Sequence, residues 1–214
     1  MPGAYLILAL LFGAAPPLFR RLSWPKLAAI VLAAAAAGIA GSVAGFAPYP
    51  WTDLVGTAVA IAGGVLLGRA VPARFRPLAV LLIVLAAFDS IQVFAASSDG
   101  AEPAWRFYSM LVVATPWFRS DIGVADLLLI VAISEHLRRR KAHPAIAVAP
   151  GLIGLGLADA FSAWHPGGLP LVPFLLAGFV LTEPWARRFL PLDRDKAPGA
   201  GRSADYADGG DKLR

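Results

Sequence analysis

Long apolar runs are the feature that most constrains how this chain can fold. Seven segments carry few charges, and they cover residues 3–19, 27–46, 54–71, 77–96, 122–138, 144–164 and 168–185. Each is close to the ~20 residues that a helix needs to cross a bilayer. Lipid favours helices because a helix satisfies its own backbone hydrogen bonds. The sequence therefore predicts an all-α membrane protein, a polytopic bundle of about seven transmembrane helices.

The composition agrees with a membrane location and excludes several kinds of site. Of the 214 residues, 58% are hydrophobic and 15% are charged, and the mean hydropathy is +0.67. A soluble domain carries about 25% charged residues. The chain has no cysteine, which excludes disulfides, cysteine ligands and cysteine nucleophiles. We expect the lipid bilayer as a partner, and we expect no nucleic acid, cofactor or metal.

Basic residues occupy every second connection between the apolar runs. They are Arg20, Arg21 and Lys26, then Arg69, Arg74 and Arg76, then Arg138 to Lys141, and finally Arg187 and Arg188. Because basic loops stay in the cytoplasm, the N-terminus is predicted outside and the C-terminus inside. Residues 1–190 form the predicted transmembrane domain of a prokaryotic cell (inner) membrane protein. Residues 191–214 are polar and rich in Gly and Asp, which predicts a disordered cytoplasmic tail.

Three aspartates lie well inside predicted spans, at Asp89, Asp126 and Asp159. A charged side chain at the bilayer centre costs about 3 kcal/mol on insertion scales. Such residues usually face a bundle interior or a wet cavity and serve a function. The plainer alternative is that each one caps a broken helix or binds a serine or backbone group.

Depth in the membrane pairs two of these acids. Asp89 lies 13 residues from Arg76, and Asp126 lies 12 residues from Arg138, which correspond to roughly 20 Å and 18 Å of helical rise. The two carboxylates are therefore expected at the same height on adjacent antiparallel helices, with Asp159 nearer the outer face. Two facing carboxylates share one proton and suit acid–base hydrolysis, as in aspartic proteases.

The surroundings of the pair resemble a known family. The chain carries Phe88-Asp89, then Gly123-Val124-Ala125-Asp126, then one spacer span, then Pro170-Leu171-Val172-Pro173, and Val93-Phe94 follow the first acid. Over about 77–185 this order is similar to the presenilin and signal peptide peptidase family, the GxGD intramembrane aspartyl proteases. That family usually has nine spans, so the chain looks like a shortened, seven-span relative.

The resemblance implies an activity, a substrate class and a set of site residues. Asp89 and Asp126 would be catalytic, and the substrates would be transmembrane peptides or signal-peptide remnants. The residues expected to contact substrate are Phe88, Gly123, Ala125, Pro170, Leu171, Val172 and Pro173.

Small residues and prolines in these motifs also have plainer interpretations. Gly123 and Ala125 would let helices approach closely and bring Asp126 towards Asp89, although packing alone explains them equally well. Pro170 and Pro173 would unwind backbone that lines a cavity, or they would simply start the last helix.

Other enzyme classes lack their motifs. There is no HExxH zinc motif, and the three histidines, His136, His143 and His165, are all near span ends, where we expect interfacial positions or helix C-terminal charges. Glu135 and Glu183, near cytoplasmic ends, are expected to snorkel or to be paired.

Two features leave alternatives open. A proton- or cation-coupled transporter using Asp89, Asp126 and Asp159 is the competing function, and a cation site would draw Asp159 in beside the other two. Residues 106–117 are too short to span, which predicts an interfacial piece, a re-entrant piece or a short strand at the membrane edge.

Overall fold

The computed structural model describes residues 3–45, 51–95, 110–115, 118–162 and 169–189. Within these ranges the chain forms seven α-helices and one β-hairpin. The elements are α1 (Gly3–Ala14), α2 (Trp24–Val43), α3 (Trp51–Ala70), α4 (Phe75–Ala95), β1 (Met110–Thr115), β2 (Phe118–Gly123), α5 (Val124–Arg139), α6 (Pro144–Ser162) and α7 (Val172–Phe189). Each predicted apolar run overlaps one of the helices, so the mainly helical fold is confirmed. The predicted tail, 191–214, lies outside the described residues.

Among the described residues, three helices are long and apolar enough to cross a membrane, judged by length and composition. These stretches are Trp24–Gly41, Trp51–Ala70 and Pro144–Ser162. Two shorter apolar helical stretches, Ile7–Phe19 and Val172–Ala186, accompany them in the described part of the chain.

Prolines move two helix boundaries away from the ends of the apolar runs. The first run divides after Ala14, and Pro16–Phe19 forms a separate 3₁₀ helix. The last helix begins at Val172, four residues later than its run predicts. Pro173 lies in the first turn of α7, where the missing N–H of proline costs no helical hydrogen bond. The proline-initiated start is therefore the interpretation that the structure supports.

α5 is the most enclosed helix of the bundle. It packs closely against α3 and also against α6 and α1, while α6 packs against α7 and α2 against α3. Its buried side chains include Leu127, Ile130, Val131, Ile133 and Leu137. This arrangement gives α1–α3 a role that the sequence did not indicate, because α1 and α3 pack against α5 and α2 supports α3.

Glycine allows α3 to approach the backbone of α5. A Cβ placed on Gly64 would lie 2.6 Å from the Leu128 carbonyl oxygen and 2.6 Å from the Val131 Cβ. A Cβ on Gly68 would lie 2.6 Å from the Ala132 carbonyl oxygen. Small residues permit this kind of close helix contact.

α4 has a different neighbour from the one predicted. It packs along α7, whereas its contact with α5 is slight at most. The expectation that Asp89 and Asp126 lie on adjacent antiparallel helices is therefore wrong. The lipid-facing and helix-facing sides of an apolar run are equally hydrophobic, so the run does not specify which helices pack against each other.

Ion pairs join the helix ends opposite the hairpin. Arg69 at the end of α3 contacts Glu135 at 3.1 Å, and Arg140 just after α5 contacts Glu183 of α7 at 2.9 Å. The expectation of paired glutamates is met at both positions. His136 differs from its expected interfacial position: it is fully buried and meets Phe179 edge-on, because α7 closes over the last turns of α5.

Candidate active site

Asp89 is bound to the start of α7. It lies six residues before the end of α4 and is partly buried. Its Oδ2 accepts a hydrogen bond of 3.0 Å from the backbone N–H of Val172. The first N–H groups of a helix have no partner within it, and a carboxylate there is favoured by the helix dipole. Asp89 is thereby linked to the Pro-Leu-Val-Pro segment.

Asp126 lies in the first turn of α5. Gly123 is the N-cap, with extended backbone angles of φ −62° and ψ 135°, and its N–H donates to the Asp126 carboxylate. This is the reciprocal half of a capping box, in which an acid three residues into a helix reaches back to the cap. The expected position well inside a span is wrong, because β2 extends to Gly123 and the helix can begin only after it.

The two carboxylates lie at the same end of the bundle. Asp89 and Asp126 are close enough for their charges to interact. α4 reaches this position by packing on α7, so the N-terminus of α7 lies beside the pair as well as that of α5. Both acids therefore occupy the positive ends of helices, which suits a site that must hold negative charge.

The hairpin opens beside Asp126. β1 and β2 are antiparallel, with Met110 opposite Gly123 and Thr115 opposite Phe118. Its open end is therefore at Gly123, three residues before Asp126. Of the three alternatives for residues 106–117, the short strand is the one observed over 110–115, and the remaining residues lie outside the described part.

Gly123 contributes space for the carboxylate. A Cβ on this residue would lie 2.6 Å from the Asp126 Oδ2. The sequence suggested helix–helix approach for Gly123 and Ala125. Ala125 is instead exposed, so it does not pack between helices. The reason for glycine at 123 is local, since the acid occupies the volume of the absent side chain.

The remaining predicted substrate contacts lie around Asp89. Phe88 precedes it on α4 and is 58% exposed. Pro170 and Val172 are buried, whereas Leu171 and Pro173 are partly exposed. The hydrogen bond from Val172 brings this segment to the acid pair. Sequence reasoning missed that contact, because a main-chain donor leaves no signature in the side-chain pattern.

Asp159 stands apart from the pair. It lies in the last turn of α6, where the Ser162 hydroxyl donates to its backbone carbonyl at 2.7 Å. Within the described ranges, no three His, Asp or Glu side chains converge as they would around a metal ion. A three-aspartate cation site therefore has no geometric support among these residues.

Chemically, the site offers two interacting carboxylates, two helix N-termini and a strand pair. Comparison of the chain with protein-family models, with curated proteins and with solved structures finds no match. The resemblance to the GxGD proteases therefore rests on the order of the sequence motifs and stays a prediction.

Proposed function

We propose that this chain is an intramembrane aspartyl protease that hydrolyses peptide bonds within transmembrane segments or signal-peptide remnants. The observation that carries the proposal is that Asp89 and Asp126 lie within range of each other's charge at one end of a largely apolar bundle. Their helices hardly touch, so this proximity depends on how α4, α5 and α7 are arranged.

The chemistry follows from one proton shared by two carboxylates. Two like charges at short range do not both ionise cheaply, so one acid is protonated while the other is ionised. The ionised carboxylate takes a proton from water, and that water attacks the peptide carbon. The protonated partner donates to the carbonyl oxygen. The leaving nitrogen then receives the proton that the first carboxylate took from water, and the C–N bond breaks. The second carboxylate recovers a proton from the diol, which leaves the pair again with one shared proton.

The hairpin and the start of α7 provide for substrate binding. A transmembrane helix must unwind before its peptide bonds are reachable. An unwound peptide can add to the edge of a sheet through main-chain hydrogen bonds, and the hairpin opens three residues from Asp126. On the other side of the pair, Val172 holds Asp89 against the Pro-Leu-Val-Pro segment. Phe88, Leu171 and Pro173 have exposed surface there.

A membrane location and orientation belong to the same proposal. All seven helices span, the N-terminus is outside, and the C-terminus is in the cytoplasm of a prokaryotic cell. Support comes from the basic clusters, because the ends of α3 and α5 meet at one end of the bundle through the Arg69–Glu135 pair. The connections that follow α3 and α5, both predicted to be cytoplasmic, therefore lie at the same end of the bundle.

Helix capping is the competing explanation for both acids, since each accepts a backbone N–H. Substitution by asparagine distinguishes capping from catalysis. The amide oxygen of asparagine still accepts the backbone hydrogen bond, but the side chain is uncharged and does not take up or release a proton. We expect Asp89→Asn and Asp126→Asn each to lower the cleavage rate of a transmembrane peptide by about 10²-fold or more. The melting temperature should stay close to that of the unmodified protein.

The control variants are Asp126→Ala and Asp159→Asn. Asp126→Ala removes the cap as well as the charge, and loss of a cap costs about 0.5–2 kcal/mol, so its melting temperature should fall. Asp159→Asn should keep substantial activity. Full activity in either asparagine variant of the pair would refute the dyad and leave both acids with a capping role.

A further inference from the structure

A cavity at the opposite end of α5 from Asp126 has three arginines in its wall. Its volume is about 410 Å³, within the ~300–1,000 Å³ usual for small-molecule sites. The wall includes Arg20, Glu135, Arg138 and Arg139, together with Pro16 and Pro17 of the 3₁₀ helix. The cavity therefore lies where the last turn of α5 faces the connection between α1 and α2.

The charges of the wall do not balance. Three arginines face the cavity against one glutamate, and Glu135 is already engaged by Arg69 at 3.1 Å. Glu135 also lies near enough to Arg138 to interact with its charge. One carboxylate thus serves several guanidinium groups, and the cavity keeps an excess of positive charge.

Arg138 has an unmet hydrogen-bond donor. Its Nε is buried and has no acceptor among the described residues. A buried donor without a partner costs free energy, more so when it is charged. Arg139 is fixed beside it, since its Nη1 donates to the carbonyl oxygens of Gly68, Arg69 and Val71 at 3.0, 2.6 and 3.0 Å. The wall is therefore partly preorganised while one of its donors remains open.

We propose that this cavity binds a phosphate group through Arg138 and Arg20. A guanidinium presents several N–H donors in a planar fork that matches phosphate oxygens. The group can belong to the headgroup of an anionic phospholipid or to a free phosphate compound. Basic pockets between membrane helices on the cytoplasmic side bind such headgroups.

The test uses the full chain in a neutral detergent with two probes. One probe is inorganic phosphate, and the other is a short-chain phosphatidylglycerol. Potassium chloride at equal ionic strength and a short-chain phosphatidylcholine are the controls. Binding is measured by native mass spectrometry and by the rise in melting temperature. Arg138→Gln and Arg20→Gln alter the cavity, and the matched control is Arg76→Gln, which removes an exposed arginine outside it.

We expect binding of at least one probe to the unmodified protein and to Arg76→Gln, and a loss of tenfold or more in both cavity variants. Arg20 is exposed, so its substitution tests the site without disturbing buried packing. Binding of inorganic phosphate alone would identify a free phosphate as the ligand, and binding of phosphatidylglycerol alone would identify a lipid headgroup. Equal binding in all variants, or binding of neither probe, would overturn the proposal.

Discussion

Among single residues, Gly123 shows how the absence of a side chain leaves room for a neighbouring carboxylate. The Asp126 carboxylate fills the volume where a Cβ would lie, at 2.6 Å from its Oδ2. The same carboxylate accepts the Gly123 N–H and so has a defined orientation. The glycine therefore acts on the proposed chemistry through the acid beside it.

Gly123→Ala should displace the carboxylate while leaving most of the bundle intact. The backbone at 123 is extended and tolerates alanine, so the strain is relieved by rotating Asp126. We expect the cleavage rate to fall by at least about tenfold with a change of less than ~1.5 kcal/mol in the free energy of unfolding. Both are measurable on the purified protein with a transmembrane peptide substrate.

Gly156→Ala is the matched control for that substitution. Gly156 lies within α6, and a Cβ there would meet nothing within 4 Å. Alanine in a helix interior stabilises the helix relative to glycine by up to about 1 kcal/mol. The free energy of unfolding should therefore stay the same or rise, and the cleavage rate should be unchanged. An equal loss of activity in both variants would mean that Gly123 has no special relation to Asp126.

The sequence predicted the acids more readily than their contacts. Asp89 and Asp126 are conspicuous because a carboxylate in an apolar run is costly. The hydrogen-bond partner of Asp89 is the backbone N–H of Val172. A backbone partner of this kind depends on how the helices pack, which the sequence does not specify. His136 was misjudged for a related reason: its place near a span end suggested an interface, but Phe179 of another helix covers it.

At the scale of elements, the contact between α3 and α5 determines where Asp126 lies. The two helices approach closely at Gly64, which lies opposite the Leu128 carbonyl and Val131. Rigid groups surround this point, so a larger residue can be accommodated only by moving a helix. α5 begins directly after the hairpin, and a shift of its axis would carry Asp126 away from Asp89.

Gly64→Ala should therefore destabilise the protein by about 1–3 kcal/mol, the usual cost of overpacking, and should lower activity as well. Gly63→Ala is its neighbour and control. A Cβ at Gly63 would meet the end of the flexible Leu128 side chain at 2.9 Å, which can move. Thermal unfolding in detergent distinguishes the two. Equal melting temperatures for both variants would contradict the close packing of α3 on α5.

The elements themselves were predictable because lipid-length apolar runs leave few alternatives to helices. Proline positions account for the shortened ends, at Pro16 and at Pro173. The apolar runs do not specify which helices pair. The expectation that α4 packs on α5 is wrong for that reason, and α4 packs on α7 instead. The strand over 110–115 was one of three possibilities, and its partner, β2, lay within a run that had been predicted as helix.

At the scale of the whole molecule, α5 carries a different site at each end. Its first turn presents Asp126 beside the hairpin, and its last turn lines the arginine cavity. The helix has 16 residues, so about 24 Å of helical rise separates the two ends. An acidic site at one end and a basic site at the other agree with a bundle whose two ends face different surroundings.

The proposed orientation of the bundle predicts an orientation for the proposed substrate. In the proposed orientation, with the basic clusters in the cytoplasm, α4 would run outward and α5 would run back. That is the direction implied by the resemblance to signal peptide peptidases and the reverse of presenilins. An extended substrate strand fits a sheet edge in a defined direction, so a site with fixed polarity should prefer one orientation. We expect preferred substrates to have their N-terminus in the cytoplasm.

The measurement uses one apolar segment inserted in both orientations by changing its flanking charges, with the Asp126→Asn protein as the inactive control. Cleavage should favour the cytoplasmic N-terminus by at least about tenfold, which corresponds to roughly 1.4 kcal/mol. Reporter fusions at residues 138–141 and at the C-terminus should both report the cytoplasm. A preference for the external N-terminus would contradict the predicted polarity of the site. An external 138–141 cluster would instead invert the bundle, and the predicted substrate orientation would invert with it.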